Sequence, residues 1–292
     1  MIFYRGKQLA LPVLVLALIV GCAAERKIET DAAKGLDLVY RIPDSQVLKY
    51  QTSSKSTQKL EMFGQSVEVR TDGASGFSVQ SKGVKAGSQS LAVTLESFSL
   101  VVTSPRGELA ADAKNAVGKT FTMNLSPLGK ESDLAEAEAI QYELGPAGKR
   151  SIAPGFQAVF PDMAGKPLKI GETWTVTDTV REKAAEGETV IAIESVNTLV
   201  GTETFEGHEC VKITAVFTGS VSGRARQGGM DFVTKGTVKG VDTTYFAHKE
   251  GFLVKNVSTG TAKTVSEASG AQSITIPATR EFRNETRLIS GR

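Results

Sequence analysis

The chain has 292 residues, 40% of them hydrophobic and 23% charged, with 34 basic against 32 acidic side chains. The formal charge of +2 vanishes once Arg5 and Lys7 leave with the first 21 residues, so a basic surface for nucleic acid is not supported. Two cysteines and two histidines offer no disulfide framework and no metal cluster, while the length suffices for one large core or two small ones.

In chain order, the first element is the apolar stretch ending at Cys22, preceded by Arg5 and Lys7. An apolar run of about 12 residues makes a helix of roughly 18 Å, short of the ~30 Å hydrocarbon core, so it reads as a secretory signal and not as a membrane span. Its last residues, Ile19-Val20-Gly21-Cys22, resemble the lipobox of bacterial lipoproteins. That resemblance implies cleavage between Gly21 and Cys22, a diacylglycerol thioether on Cys22 and acylation of the new amine. It makes a membrane the first expected partner, since two or more acyl chains anchor stably where one does not. Ala23 stands where an inner-membrane retention signal would have Asp, which favours the outer membrane, facing the periplasm, in a cell with two membranes. With Cys22 lipidated, Cys210 has no partner for an internal disulfide and reads as a small packing residue.

Residues 22–43 are polar and charged, and read as a lipidated Cys with a flexible tether of ~25 Å as a coil. From Val47 onward the chain reads as strands. Turn glycines are expected at Gly64, Gly87, Gly107 and Gly129, and again at Gly187, Gly207, Gly229 and Gly251, the second set following the first at a nearly constant offset. This predicts a first β repeat over 44–130, a helical or extended connector over 131–170, and a second β repeat over 171–292; a Gly-rich meander without duplication gives a similar rhythm. Trp174, Val176 and Val180 alternate with threonines, and Ile274, Ile276, Ala278, Phe282 and Leu288 alternate with Thr275, Glu281, Arg283, Glu285 and Arg287. In residues 91–102 the apolar face switches between Leu95 and Phe98, which demands a bulge or a strong twist. Strands this long coil, so the fold class is mainly β, an antiparallel sheet curved into a half-barrel or open barrel. One or two medial helices are expected. Asp133 and Glu136 have the spacing of a capping box ahead of Leu134, Ala137, Ile140 and Leu144, and Phe156, Val159 and Phe160 form a second stripe before Pro161.

No catalytic set emerges, so no enzyme and no cofactor are expected. Gly118-Lys119-Thr120 ends like a P-loop but lacks the first glycine and the strand-loop-helix setting. His208 and Cys210 share a strand face without further ligands, and His248 sits at an expected hairpin tip. Arg224 and Arg226 form a small basic tip. The functional residue class is aromatic: Phe156, Phe160, Trp174, Phe217, Tyr245, Phe246 and Phe252 either fill a core or line an apolar groove for an acyl chain. The body resembles β-rich envelope lipoproteins and, loosely, the lipoprotein-carrier half-barrels that shelter acyl chains under a helical lid. Two non-enzymatic readings stay open: a carrier or binder of an apolar ligand or envelope protein, and a scaffold of an envelope complex without a small ligand.

Overall fold

The computed structural model describes residues 35–291 apart from 63, 185, 186, 228 and 270–272. The expected signal peptide and lipidation site, Gly21 and Cys22 included, lie outside the described residues. The elements, in chain order, are β1 (Val47–Met62), β2 (Gln65–Lys85), β3 (Ser88–Ser104), β4 (Gly107–Ala110), β5 (Thr120–Leu125), β6 (Glu131–Ser132), helix α1 (Ala135–Ala139), β7 (Gln141–Glu143), β8 (Lys149–Ser151), β9 (Thr173–Ala184), β10 (Gly187–Phe205), β11 (His208–Gln227), β12 (Met230–Ala247), β13 (Phe252–Ser269) and β14 (Ile274–Gly291). All strands belong to one antiparallel sheet in the order β6-β5-β3-β2-β1-β14-β13-β12-β11-β10-β9-β8-β7, with β4 on β3. The sheet curls into a half-barrel, as the strand lengths predict.

The first and last long strands are neighbours, paired from Leu48 opposite Gly291 to Leu60 opposite Ala278. At one end the sheet's two flanks touch through a two-bond bridge between Asp112 and Glu143. Seven of the eight expected turn glycines (Gly64, Gly87, Gly107, Gly129, Gly207, Gly229 and Gly251) have φ between +75° and +119°, where a Cβ is penalised; Gly187 opens β10 without one.

Alternation sets the two faces. On β14, Leu288 and Ala278 are buried on the concave side, while Glu281, Arg283 and Arg287 stand on the convex side. The apolar switch in β3 is a bulge. Leu95 pairs with Phe77 and Ser97 with Gly76, so Glu96 is the extra residue, and Phe98 returns to the side of Leu95. Charges placed midway along the convex face of β14 are incompatible with a lipid-facing band.

One cross-strand row sets rings over glycines: Phe217 on β11, Gly240 on β12, Gly260 on β13 and Phe282 on β14. A Cβ on Gly240 would run into the Phe217 ring, and one on Gly260 would lie 2.6 Å from the Phe282 ring. The two rings lie down over the glycines, with centroids 6.5 Å apart. Gly260→Val should therefore cost about 1–3 kcal/mol by overpacking, read as a lower urea midpoint at unchanged slope; an unchanged midpoint would mean that the rings do not occupy this space.

Two expectations are corrected. The tether does not extend to residue 43: Leu36, Leu38, Tyr40 and Ile42 are 7%, 2%, 2% and 1% exposed, alternating into the core as an extended segment. Leu36 pairs with Leu168, Tyr40 N–H donates to Pro127 O (2.9 Å), and Ile42 exchanges two 2.8 Å bonds with the Gln89 amide. The medial helix is also shorter than expected. Asp133 has φ +60° and accepts from the Asn124 amide, so it cannot cap α1. Glu136 instead accepts from Thr122 N–H (2.7 Å), and the chain after Ala139 becomes strand β7. The second stripe follows the same pattern: Ala153–Phe156 is a single 3-10 turn.

Candidate functional site

The concave face divides into two halves. In the half nearest the chain's first described residues, the connector and residues 36–42 cover the sheet and form one core with β1, β2, β3, β5 and β10–β14. Tyr40 sits at its centre. Its hydroxyl donates to Pro161 O (3.0 Å), and its ring meets Phe160 and Phe246 edge-on at 5.7 and 4.9 Å. Tyr50 donates to Leu253 O (3.0 Å), stacks on Phe77 at 5.4 Å and meets Phe160 at 5.9 Å. Phe156 lies edge-on to Phe77 and Phe121 at 5.2 and 4.9 Å. Trp174 sends its indole N–H toward Asp162 O (3.4 Å), and Phe252 faces the His208 ring at 5.3 Å.

The seven aromatic residues therefore do not line one groove. Phe156, Phe160, Trp174, Phe246 and Phe252 are packed against other side chains in the main core. Phe217 belongs to a separate cluster with Val221 and Val238. Tyr245, on the other face of β12, is partly buried against the main core, stacked on Phe205 at 3.9 Å beneath the Lys212 ammonium. The physical reason is the two-residue period: Tyr245 and Phe246 are adjacent, so they must point to opposite faces.

Where the connector crosses toward β9, carboxylates outnumber cations. Lys130 lies 2.8 Å from Asp178 and 4.0 Å from Asp162, and the Glu131 carboxylate accepts from Phe160 N–H (2.8 Å). Burial pushes the Glu131 carboxyl up to about 8, against the backbone N–H bonds that favour its ionised form. Asp162 rises to about 6, again through burial, partly opposed by Lys130. The Asp178 hydrogen bond raises the pKa of Lys130. The cluster thus joins connector to sheet through one cation and a carboxyl that holds its proton at neutral pH.

The side chains with catalytic potential are Cys210 and the two histidines, and His248 Nδ1 is buried without a hydrogen-bond partner. Cys210 is fully buried, and burial pushes its thiol up to about 12, far from a nucleophilic thiolate. Burial lowers the pKa of His248, whose Nε2 lies 3.7 Å from Glu209; His208 Nδ1 lies 3.6 Å from Glu250. Among the described residues no group of three His, Cys, Asp or Glu side chains could hold a metal ion. Arg226 lies 3.8 Å from Asp231 beside an open depression of about 650 Å³, whose walls also include Arg224, Lys183 and Glu188.

The other half of the concave face is not covered by the connector; it carries the Phe217 cluster and, beside it, a polar belt. Asp242, Ser258, Asn284 and Ser54 form one row across β12, β13, β14 and β1. Thr244, Asn256, Thr286 and Thr52 form the next. Thr244 donates to the Asn256 carbonyl oxygen (2.9 Å) and Ser54 to that of Asn284 (2.7 Å). No apolar or motif signal marks this belt in the sequence; only strand register assembles it.

No family model matches the chain, and no curated protein matches it. Solved structures similar to it include an exported protein with a YmcC-like fold from Bacteroides fragilis, at 9% identity and TM-score 0.29 over 87% of this chain and 99% of that one. The hypothetical lipoprotein YmcC from Escherichia coli gives 12% identity and a TM-score of 0.21, over 78% of this chain and 85% of that one. Pseudomonas aeruginosa OccK2 (OpdF) gives 7% identity and a TM-score of 0.28, over 84% of this chain and 100% of that one. The neighbours thus include an exported protein with a YmcC-like fold and a hypothetical lipoprotein, and at these scores none of them assigns a function.

Proposed function

We propose that this chain is a non-enzymatic envelope lipoprotein, tethered through Cys22, whose curled sheet works by binding and not by reaction. The location rests on the lipobox-like Ile19-Val20-Gly21-Cys22. One observation carries the rest: the aromatic interior offered as an acyl groove is filled by the chain's own Tyr40, Phe156 and Phe160. An acyl carrier needs that space empty, so a scaffold or a binder of polar ligands fits better than a lipid carrier.

Mass spectrometry of full-length protein purified from membranes tests both parts. The expected spectrum shows Cys22 as a lipidated N-terminus and no further acyl chain held non-covalently. A free thiol at position 22 would remove the envelope anchor, and stoichiometric co-purifying lipid would restore the carrier. Crosslinking in cells should then trap a defined neighbour on the sheet.

A further inference from the structure

The uncovered half of the concave face carries hydrogen-bonding capacity that the fold does not spend. Ser258 bonds the Asp242 carboxylate, yet Asp242 Oδ1 is buried without a partner. Among the described residues the Asn256 and Asn284 amide nitrogens donate to nothing, because only their carbonyl oxygens are used. Arg280, two alternations along β14 from Asn284 on the same face, makes no ion pair or hydrogen bond with any described residue. It is exposed on that face; partial burial lowers its pKa, and Glu182 of β9 opposes the shift. Phe282, half-buried, lies between Arg280 and Asn284.

This is a linear array. Alternate residues of a strand are ~6.8 Å apart, so Arg280, Phe282 and Asn284 present a cation, a ring and an amide over ~14 Å. The backbone beneath them is spent, because residues 278–287 of β14 are paired on both sides, so an extended peptide finds no edge to join. Nor does the strip suit an acyl chain. The neighbouring apolar residues Phe217, Val221 and Val238 are 4%, 9% and 6% exposed, already covered by one another and by Ile191, Ile193, Ala262 and Phe282. Planar donors with a ring between them suit a chain of hydroxylated rings. The Arg280 guanidinium, which makes no ion pair with a described residue, favours acid groups on such a chain.

We propose that the strip Arg280–Phe282–Asn284, with Asn256 beside it, binds an anionic oligosaccharide lengthwise along β14. An acid group sits on Arg280, a sugar ring packs its C–H face on Phe282, and hydroxyls accept from the two asparagine amides. This rests on the reading of the sheet as a binding surface and adds its ligand class.

The test is calorimetric titration of full-length protein in detergent with tetragalacturonate and, in parallel, neutral maltotetraose. Tetragalacturonate should bind and maltotetraose at least tenfold more weakly. Arg280→Gln should weaken tetragalacturonate at least tenfold and Asn284→Ala severalfold, with unchanged melting, because neither side chain supports the core. Arg283→Gln, on the convex face of the same strand, should leave binding unchanged. Absence of tetragalacturonate binding overturns the proposal, as do equal binding of the two sugars, equal binding by Arg280→Gln, or equal weakening by Arg283→Gln. A defined crosslinked protein neighbour together with no sugar binding would remove this ligand class and leave the binding role intact.

Discussion

Tyr40→Ala should lower the unfolding free energy by about 3–5 kcal/mol. Tyr40 is 2% exposed, touches two aromatic rings edge-on and closes the connector through Pro161. Its removal would leave a cavity between sheet and plug that neither wall can collapse into, because both walls are themselves strand or ring. Tyr40→Phe should cost only about 1 kcal/mol, the worth of one hydrogen bond together with the desolvated Pro161 carbonyl left behind. Urea unfolding separates the two. If both variants fell within about 0.5 kcal/mol of wild type, the ordinary range of a surface substitution, residues 36–42 would be a tether after all. Gly129 adds a second handle on the same contact. At φ +100°, a Cβ there would lie 2.5 Å from Pro161 O and 2.9 Å from the Tyr40 ring, so Gly129→Ala should disturb the plug without touching the sheet.

Glu131→Gln should stabilise the protein at pH 8 and flatten its pH dependence. The Glu131 carboxyl has a folded-state pKa of about 8 against an ordinary value of 4.5. The folded state therefore holds a proton that the unfolded state has released between those values, and stability falls as pH rises through that window. The shift corresponds to roughly 3–5 kcal/mol at about 1.36 kcal/mol per pH unit. Asp162, raised to about 6 from 3.8, adds a loss of the same sign between those two values. The glutamine amide would keep the acceptor for Phe160 N–H and carry no charge to bury. Denaturation at pH 5 and pH 8 should show wild type losing stability and Glu131→Gln losing less. A variant that tracks wild type across that range would place the titrating group elsewhere.

Much of the fold was legible in the sequence because strand and turn signals are local. The glycine rhythm marked seven left-handed turn positions, and the clean alternation of β14 named its concave and convex faces. The face switch in β3 was readable as a bulge because a period of two admits no other remedy than a twist. Other features were less accessible. Leu36, Leu38, Tyr40 and Ile42 also alternate, but they follow a charged run and stand outside the glycine rhythm, so their pattern was absorbed into the tether. Around α1, helical spacing and capping chemistry were present, yet tertiary contacts redirected both cap carboxylates to β5, and only five residues stayed helical. For the aromatic set, composition marked burial but not the partner: whether Phe217 joins the main core or a second cluster depends on Gly240 across the sheet. The polar belt around Asp242 was invisible for the same reason, since register across four strands assembles it from ordinary Ser, Thr and Asn.

The central claim is that this chain plugs half of its own curled sheet and leaves the other half to bind. Native-state hydrogen exchange of the full-length protein tests it most directly, read at the amides of Leu36, Tyr40 and Arg41, which donate to Leu168, Pro127 and Gly251. The account predicts that these three exchange as slowly as the amides of β1 and β14, opening only with global unfolding. Exchange at the rate of an unstructured chain would mean that the plug is absent, the aromatic interior is open, and the acyl-carrier reading returns.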